Sequence, residues 1–350
     1  MKKQPFFTIG IPVYNTEKWV AQTLDSILSQ SFCDFEIICV DDGSRDDSLE
    51  ILQSYAAKDN RIKVISRQNG GVSTARNAVL FSSCGQYIYF MDSDDLMYPD
   101  CLQNAFDTLA KANFPDLLET GYIIRTPQGD KTYTTSYPGD KYFASSLTKD
   151  ERAVLMWLDT TYVPSVFGKF VKAQLIKENG ISFVHRYHIA EDCDFVFTLH
   201  RKMDTIAYGD FYTCIYFNPR ENSLSTKVSP KSVYSNLCYY TDLFSDLKYF
   251  DLSQDFLQNH KSQIDFRYKE FLRTNREKTL VALEGDITRA DAMDIAHTTN
   301  RFIGKQLKKL PLSFSSVAEI IFVLYRIIGM EKTVSFIYNL RKSKGIITSK

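Results

Sequence analysis

The sequence predicts an α/β protein: a mostly parallel central sheet followed by a helical C-terminal extension. Two observations carry that expectation. From residue 6 to about residue 100, short apolar runs alternate with segments of helical period, as in strand–helix–strand units that build a parallel sheet. From residue 231 onward glycines are few and long charged amphipathic stretches dominate. A length of 350 residues accommodates one large domain with an extension, or two domains, and the boundary is placed near Pro230, giving a strand-and-helix domain over 1–230 and a helical part over 231–350.

Each element has its own signal. Phe6–Pro12 is a short apolar strand, and Glu17–Gln30 places Trp19, Val20, Leu24, Ile27 and Leu28 at helical spacing. Phe35–Val40 is the continuous apolar run of a strand buried on both faces, and Asp47–Lys58 repeats through Leu49, Ile51, Leu52 and Tyr55. Arg61–Ser66 is a third strand, Val72–Ser82 a helix opened by a glycine pair, and Tyr87–Met91 a fourth strand. From Pro115 to about Thr135 the pattern is a hairpin insertion turning at Thr126–Asp130. Helices are expected at Glu151–Leu158, Lys169–Asn179 and Glu191–Arg201, with a loop at His185–Ala190 and a strand at Tyr208–Phe217.

Bulk composition excludes several classes. Hydrophobic residues at 44% and charged residues at 24% are those of an ordinary folded chain. The 42 basic and 42 acidic residues cancel, which removes the electrostatic case for a nucleic-acid partner. The 7 cysteines are odd in number, scattered, and form no Cys-x-x-Cys pair, so they suit a reducing cytosol. The N-terminus enters a strand pattern at once without a signal-peptide core, and Val317–Ile328 is interrupted by Glu319 and Arg326, so a cytoplasmic location without a membrane span is expected.

The chemistry lies where the special residues fall. Pro12-Val-Tyr14-Asn15 follows the first strand, Asp41-Asp42-Gly-Ser44 the second, and Asp92-Ser93-Asp94-Asp95 the fourth. In an open parallel sheet, ligands bind beyond the carboxyl ends of the strands, so all three clusters line one edge. Asp92 and Asp94 are two apart at a strand end, so alternation points both carboxylates the same way. A divalent cation relieves their repulsion, and hard oxygen ligands suit Mg²⁺ or Mn²⁺ bridging to nucleotide phosphates. The bland alternative is that Asp94 or Asp95 caps the helix that Pro99 helps start. Tyr14 offers a ring for a flat base and Asp42 an acceptor for an imide N–H, although alone the first is equally a core residue and the second a turn. At Asn69-Gly-Gly-Val-Ser-Thr-Ala-Arg76-Asn77, glycines permit close backbone approach and Arg76 supplies a fixed cationic fork. Neither a dinucleotide-binding glycine fingerprint nor a P-loop is present.

Ile11-Pro12-Val13-Tyr14-Asn15, Val40-Asp41-Asp42-Gly43-Ser44, the Asn69–Asn77 segment and Tyr89-Phe-Met-Asp92-Ser-Asp94-Asp95, in this order and spacing, resemble the family 2 inverting glycosyltransferases of the GT-A fold over roughly residues 6–100. The resemblance implies transfer of a sugar from a nucleotide sugar, commonly UDP-linked, to a hydroxyl of a glycan or lipid-linked acceptor in surface polysaccharide synthesis. It also implies that Pro12, Tyr14, Asp42 and Asn69 hold the base, that Arg76, Asp92 and Ser93 line the nucleotide and its sugar, and that Asp94 with Asp92 holds the metal. Glu191-Asp192-Cys-Asp194 is similar to the family's later Glu-Asp pair, with Asp192 as general base and Glu191 orienting or binding acceptor. Helix-start acidity is the plainer reading of that pair.

Weaker signals surround these. Phe167-Gly-Lys169-Phe170 resembles the segment before the Glu-Asp pair, and Arg220 with Ser223 a loop closing over donor; solvated charge is the alternative for both. His185 and His188 precede Glu191 without forming a metal set. In the extension, Lys305, Lys308 and Lys309 precede Val317–Tyr325, and Arg341, Lys342 and Lys344 follow Phe336–Leu340. Such a basic-flanked amphipathic region suits peripheral contact with an anionic leaflet, or packing against the catalytic domain or a second copy of the chain. A sugar nucleotidyltransferase and a non-catalytic nucleotide-binding scaffold stay open as other classes.

Overall fold

The computed structural model describes residues 4–133, 143–159, 162–185, 190–218, 239, 243, 247, 250–284 and 332. Arg220, Ser223, His188 and the basic and apolar segments between Lys305 and Lys344 therefore lie outside the described residues. The chain divides into two compact units, Met1–His185 with Glu191–Glu221, and Arg186–Ala190 with Asn222–Lys350.

The first unit is built on one sheet. β1 (Phe7–Val13), β2 (Phe35–Asp41), β3 (Ile62–Ser66) and β4 (Tyr87–Phe90) pair in parallel in the order β3-β2-β1-β4. α1 (Val20–Leu28), α2 (Ser48–Ala56) and α3 (Val72–Ser82) connect them. Every residue of β1 and β4 is buried, as expected of strands with helices on both faces. The chain steps from β1 to β2 to β3 in one direction, then β4 returns to the far side of β1. That reversal opens a crevice beyond β1 and β4, where open α/β sheets bind ligands.

Beyond β4 the sheet becomes mixed. It continues through β8 (Lys169–Lys172), β6 (Leu117–Thr126), β9 (Ile206–Phe217) and β5 (Leu96–Met97), while β7 (Gly129–Tyr133) pairs with the outer half of β6. α4 (Cys101–Lys111), α5 (Lys149–Leu158), α6 (Ala173–Asn179) and α7 (Glu191–Lys202) complete the unit. Two cores result: Ile37, Cys39, Tyr89 and Phe170 meet α1, α2 and α4, whereas Ile38, Val40, Phe90 and Val171 meet α3, α6 and α7. α5 starts at Lys149, before the sequence suggested, because Thr148 and Glu151 form a reciprocal capping box.

Two expectations are corrected. Lys169–Lys172 is a strand, with helix only from Ala173, because Phe170 and Val171 are pressed against opposite cores between β4 and β6. The hairpin at 117–133 is no insertion: the first half of β6 pairs with β8, and β9 runs along its length. In the second unit, α8 (Gln254–Glu284) spans 31 residues, or about 46 Å at an ordinary helical rise, and Ser253 Oγ accepts the Phe256 N–H at its start. No described helix is long and apolar enough to cross a membrane.

A buried charge cluster ties the mixed half together. Glu119 of β6 is fully buried, with Lys169 Nζ of β8 at 3.6 Å and the Tyr162 hydroxyl donating to Oε1 at 2.8 Å. Because that proton is committed to Glu119, His200 Nε2, 2.7 Å from the Tyr162 oxygen, must be the donor of its pair. Burial alone would raise the Glu119 carboxyl, but the Lys169 ammonium, His200 and Tyr162 outweigh it and hold it at about 2. Burial lowers His200, which is therefore the neutral partner. Lys169 is thus buried and paired, which sets aside solvated charge, the alternative reading of its segment.

Lys169→Met should cost about 3–5 kcal/mol in urea unfolding of the intact chain, since it leaves an uncompensated buried carboxylate, and adding Glu119→Gln should recover much of it. Both shifted groups bind protons more readily when unfolded, so acid destabilises the fold. The His200 contribution is lost as pH falls below its ordinary 6.5, and that of Glu119 as pH falls from 4.5 towards about 2. Melting temperature measured against pH should therefore decline in two stages, with the upper one absent in His200→Gln.

Candidate active site

The loops after β1 and β2 are stitched into one floor. Asn15 takes a positive φ of 55°, which asparagine tolerates, so that its N–H reaches Ser44 Oγ at 3.0 Å and its Oδ1 accepts the Arg45 N–H at 2.8 Å. Gly43 must be glycine: its φ is +75°, and a Cβ there would lie 2.9 Å from the Asn69 nitrogen. Pro12 is buried under this floor. Tyr14 is 45% exposed, so its ring stands clear of the core and available for stacking.

Asp42 is buried at 3% exposure and braces the glycine loop. Its carboxylate accepts the Gly70 N–H at 3.1 Å and the Gly71 N–H at 2.7 Å, with Arg67 Nη1 at 3.6 Å. The glycines at 70–71 therefore turn their amides onto a carboxylate of the next loop, fixing the entry to α3. Asn69 is exposed beside them. His185 Nδ1 lies 3.1 Å from Thr74 Oγ1 in the first turn of that helix.

Residues 92–95 form a turn, not the end of β4, which closes at Phe90. Side-chain alternation therefore does not bring Asp92 and Asp94 together. The turn does, with the Asp95 N–H reaching the Asp92 carbonyl at 3.3 Å, and it adds Asp95: one carboxylate oxygen from each of Asp92, Asp94 and Asp95 lies within 4.8 Å of the others. β5 separates this turn from α4, so neither Asp94 nor Asp95 caps that helix. Ser93 is buried, and the Thr23 hydroxyl of α1 sits 2.9 Å from its carbonyl and 2.8 Å from that of Asp95, holding the turn from below. Three hard oxygen donors in this space, two of them partly exposed, fit a divalent cation such as Mg²⁺ or Mn²⁺.

Arg76 joins the acidic turn to the helix-start pair. Its guanidinium is 4% exposed and donates from Nη1 to Glu191 Oε1 at 2.8 Å and from Nη2 to Asp92 Oδ1 at 3.3 Å, with the Phe183 ring 5.4 Å away. Burial pushes the Glu191 carboxyl up to about 7, aided by the Asp192 charge and opposed by Arg76. Burial likewise raises Asp192, against the pull of Arg76 and with the repulsion of Asp92. Asp192 remains partly exposed at the first turn of α7, and its Oδ1 accepts the Cys193 N–H at 2.8 Å. The pair is thus part of a buried network, more than helix-start acidity requires.

The arrangement places a ring and a braced loop, a three-carboxylate turn and a pair of raised carboxyls around one crevice. The sequence reading picked out Asp95 only as a cap and missed the Glu119, Tyr162 and His200 cluster, whose partners are distant in the chain and have no local pattern.

Residues 8–151 match the family described as glycosyl transferase family 2. The chain is 31% identical over 228 residues to the uncharacterized glycosyltransferase EpsJ of Bacillus subtilis strain 168, covering 65% of this chain and 64% of the relative. It is 29% identical over 291 residues to a poly(ribitol-phosphate) beta-glucosyltransferase of Bacillus spizizenii, covering 81% of this chain and 43% of the relative. The chain thus spans less than two thirds of either relative. Among solved structures, Staphylococcus aureus TarS 1–349 in complex with UDP-GlcNAc superposes with a TM-score of 0.61 at 20% identity, covering 97% of this chain and 92% of that one. A mannosyltransferase of Pyrobaculum calidifontis in complex with GDP-Man and Mn²⁺ gives a TM-score of 0.51 at 14% identity, covering 97% and 87%. Residues 8–151 are therefore similar to glycosyl transferase family 2, and the fold is the GT-A fold of the TarS structures.

Proposed function

We propose that the chain is a metal-dependent inverting glycosyltransferase that moves a sugar from a UDP-linked donor to a hydroxyl of a glycan or lipid-linked acceptor in polysaccharide synthesis. The single observation that supports this best is the Arg76 bridge, which sets a cation-ready carboxylate turn beside a raised carboxyl pair at a helix start. Tyr14, Asp42 and Asn69 would receive the base over the floor of Pro12, and Asp92 and Ser93 the sugar side of the nucleotide. Arg220 and Ser223 would close over the diphosphate. The ligands of the cation would be Asp94 and Asp92, with Asp95 as an added candidate, and the bound ion would offset charge on the departing diphosphate. The TarS complex with UDP-GlcNAc and the Mn²⁺ complex of the mannosyltransferase are consistent with that donor and that ion.

The transfer balances on this chain's own groups. The acceptor oxygen forms its bond to the anomeric carbon on the face opposite the nucleotide, the bond from that carbon to the phosphate oxygen breaks, and the electron pair leaves with the nucleoside diphosphate. The acceptor's proton passes to the Asp192 carboxylate. Arg76 fixes Glu191, and Glu191 adjoins Asp192 at the start of α7, so the base is held at the end of a rigid helix.

Asp192→Asn should lower kcat by about 10²–10⁴-fold, with donor KM nearly unchanged, in a coupled assay of UDP release. Unaltered turnover would reject Asp192 as base. Thermal-shift titration with UDP and Mn²⁺ should stabilise the wild-type chain but not Asp94→Asn, and EDTA should remove the effect. Because Asp192 must be ionised to accept a proton and its carboxyl is raised, kcat should fall on acidification at a pH above the ordinary carboxylate value of 3.8. A profile flat down to pH 4 would contradict that role.

A further inference from the structure

A band of aromatic rings leads away from the acidic turn along β9 and the β6–β7 hairpin. It begins where the Phe217 N–H, at the end of β9, donates to Asp95 Oδ1 at 3.4 Å. The neighbouring Tyr216 ring lies 5.5 Å from Phe167, Phe167 lies 6.1 Å from Tyr122, and Tyr122 stacks on Tyr133 at 5.2 Å with the planes 7° apart. Rings that serve only the core are shut in, as in the Phe183–Phe195 stack, where each is 1% exposed. Here only Tyr122 is buried, at 8%, while Tyr133 is 40% exposed and Phe167, Tyr216 and Phe217 are partly exposed.

The backbone is shaped to hold this band. The β6–β9 register shifts on both sides of Gly121, and a Cβ there would fall 2.5 Å from the Tyr133 carbonyl oxygen and 3.0 Å from the Tyr212 ring. Any other residue would lift the hairpin away, and such irregularities are a usual means of aiming side chains beside active sites. The band's tie to the acidic site is the backbone of Phe217 on Asp95, one residue from the Tyr216 ring. Arg125, 5.7 Å from the Phe217 ring, is neutralised by a two-pronged pair with Asp130 at 2.9 Å for each bond.

We propose that this band is the acceptor subsite, and that it takes a neutral pyranose saccharide whose C–H faces stack on Tyr216, Phe167 and Tyr133 while a terminal hydroxyl reaches Asp192. The assignment rests on the transferase reading above. Exposed flat rings match the apolar faces of sugar rings. A polyanionic acceptor would instead bring further negative charge beside the Asp192 carboxylate, which no cation of the proposed site escorts.

The test is saturation-transfer NMR on the full chain with UDP, using the N-acetylglucosamine tetrasaccharide chitotetraose as probe and a ribitol-phosphate hexamer as competitor. Chitotetraose ring protons should be saturated. Tyr216→Ala and Tyr133→Ala should each weaken its binding about five- to tenfold, Tyr→Phe at either position should not, and the hexamer should not compete. Phe167→Leu keeps an apolar side chain in place and should show the same loss wherever an alanine variant fails to fold. Unchanged chitotetraose binding in these variants, absence of chitotetraose binding to the wild type, or displacement by the hexamer would overturn the assignment. UDP-induced thermal stabilisation, followed in every sample, separates the two levels. Its absence in the wild-type chain sinks the transferase reading itself, whereas its retention with no effect on the saccharide sinks only the subsite.

Discussion

The geometry of the site depends on one buried cation. A guanidinium cannot shed its proton inside a protein, so Arg76 at 4% exposure has to be met by carboxylates wherever the chain can bring them. It draws Asp92 from the loop after β4 and Glu191 from the start of α7, residues that the sequence separates widely. The planar fork serves both at once, which an ammonium could not do with the same geometry. Once that bridge is made, the acidic turn, the third helix and the helix that carries Glu191 and Asp192 share one fixed frame.

The sheet explains why the frame sits where it does. Its parallel half ends in turns, and the reversal between β1 and β4 leaves a crevice beyond their carboxyl ends. Its mixed half supplies a different wall. β8 and β6 run against and then along the parallel direction, so the outer part of β6 with β7 and the end of β9 project beyond the acidic turn. The Glu119–Lys169 pair, with His200 at the far end of α7, pins that wall to the helix whose other end carries Asp192.

The parallel half was legible because its signals are local. Continuous apolar runs marked β1 and β2, and Asp41-Asp42-Gly43 and Asp92–Asp95 announced the loops at one edge. The mixed half was not legible to the same degree. Lys169-Phe-Val-Lys172 is too short for periodicity to separate strand from helix, and only pairing with β4 and β6 decides it. Asp92 and Asp94 do lie together, but a turn and not a pleat joins them. Tyr14 could be read as core or as a free ring, and only its exposure settles which. The partners of Glu119 had no signature at all, because a buried ion pair between strands is written in tertiary contacts alone.

Charge balance then constrains what can enter. Around the crevice stand Asp92, Asp94, Asp95, Glu191 and Asp192, and the cation buried among them is Arg76, already held by two of them. Burial and mutual repulsion raise the Glu191 carboxyl, so the site itself resists a further negative charge. In the proposed reaction a diphosphate would meet Asp92 and Asp94, and a divalent ion held by that turn would supply the counter-charge it needs. The proposed acceptor would have no such escort: coming in beside Asp192 over partly exposed rings, a molecule with polar hydroxyls and apolar faces would suit both surfaces.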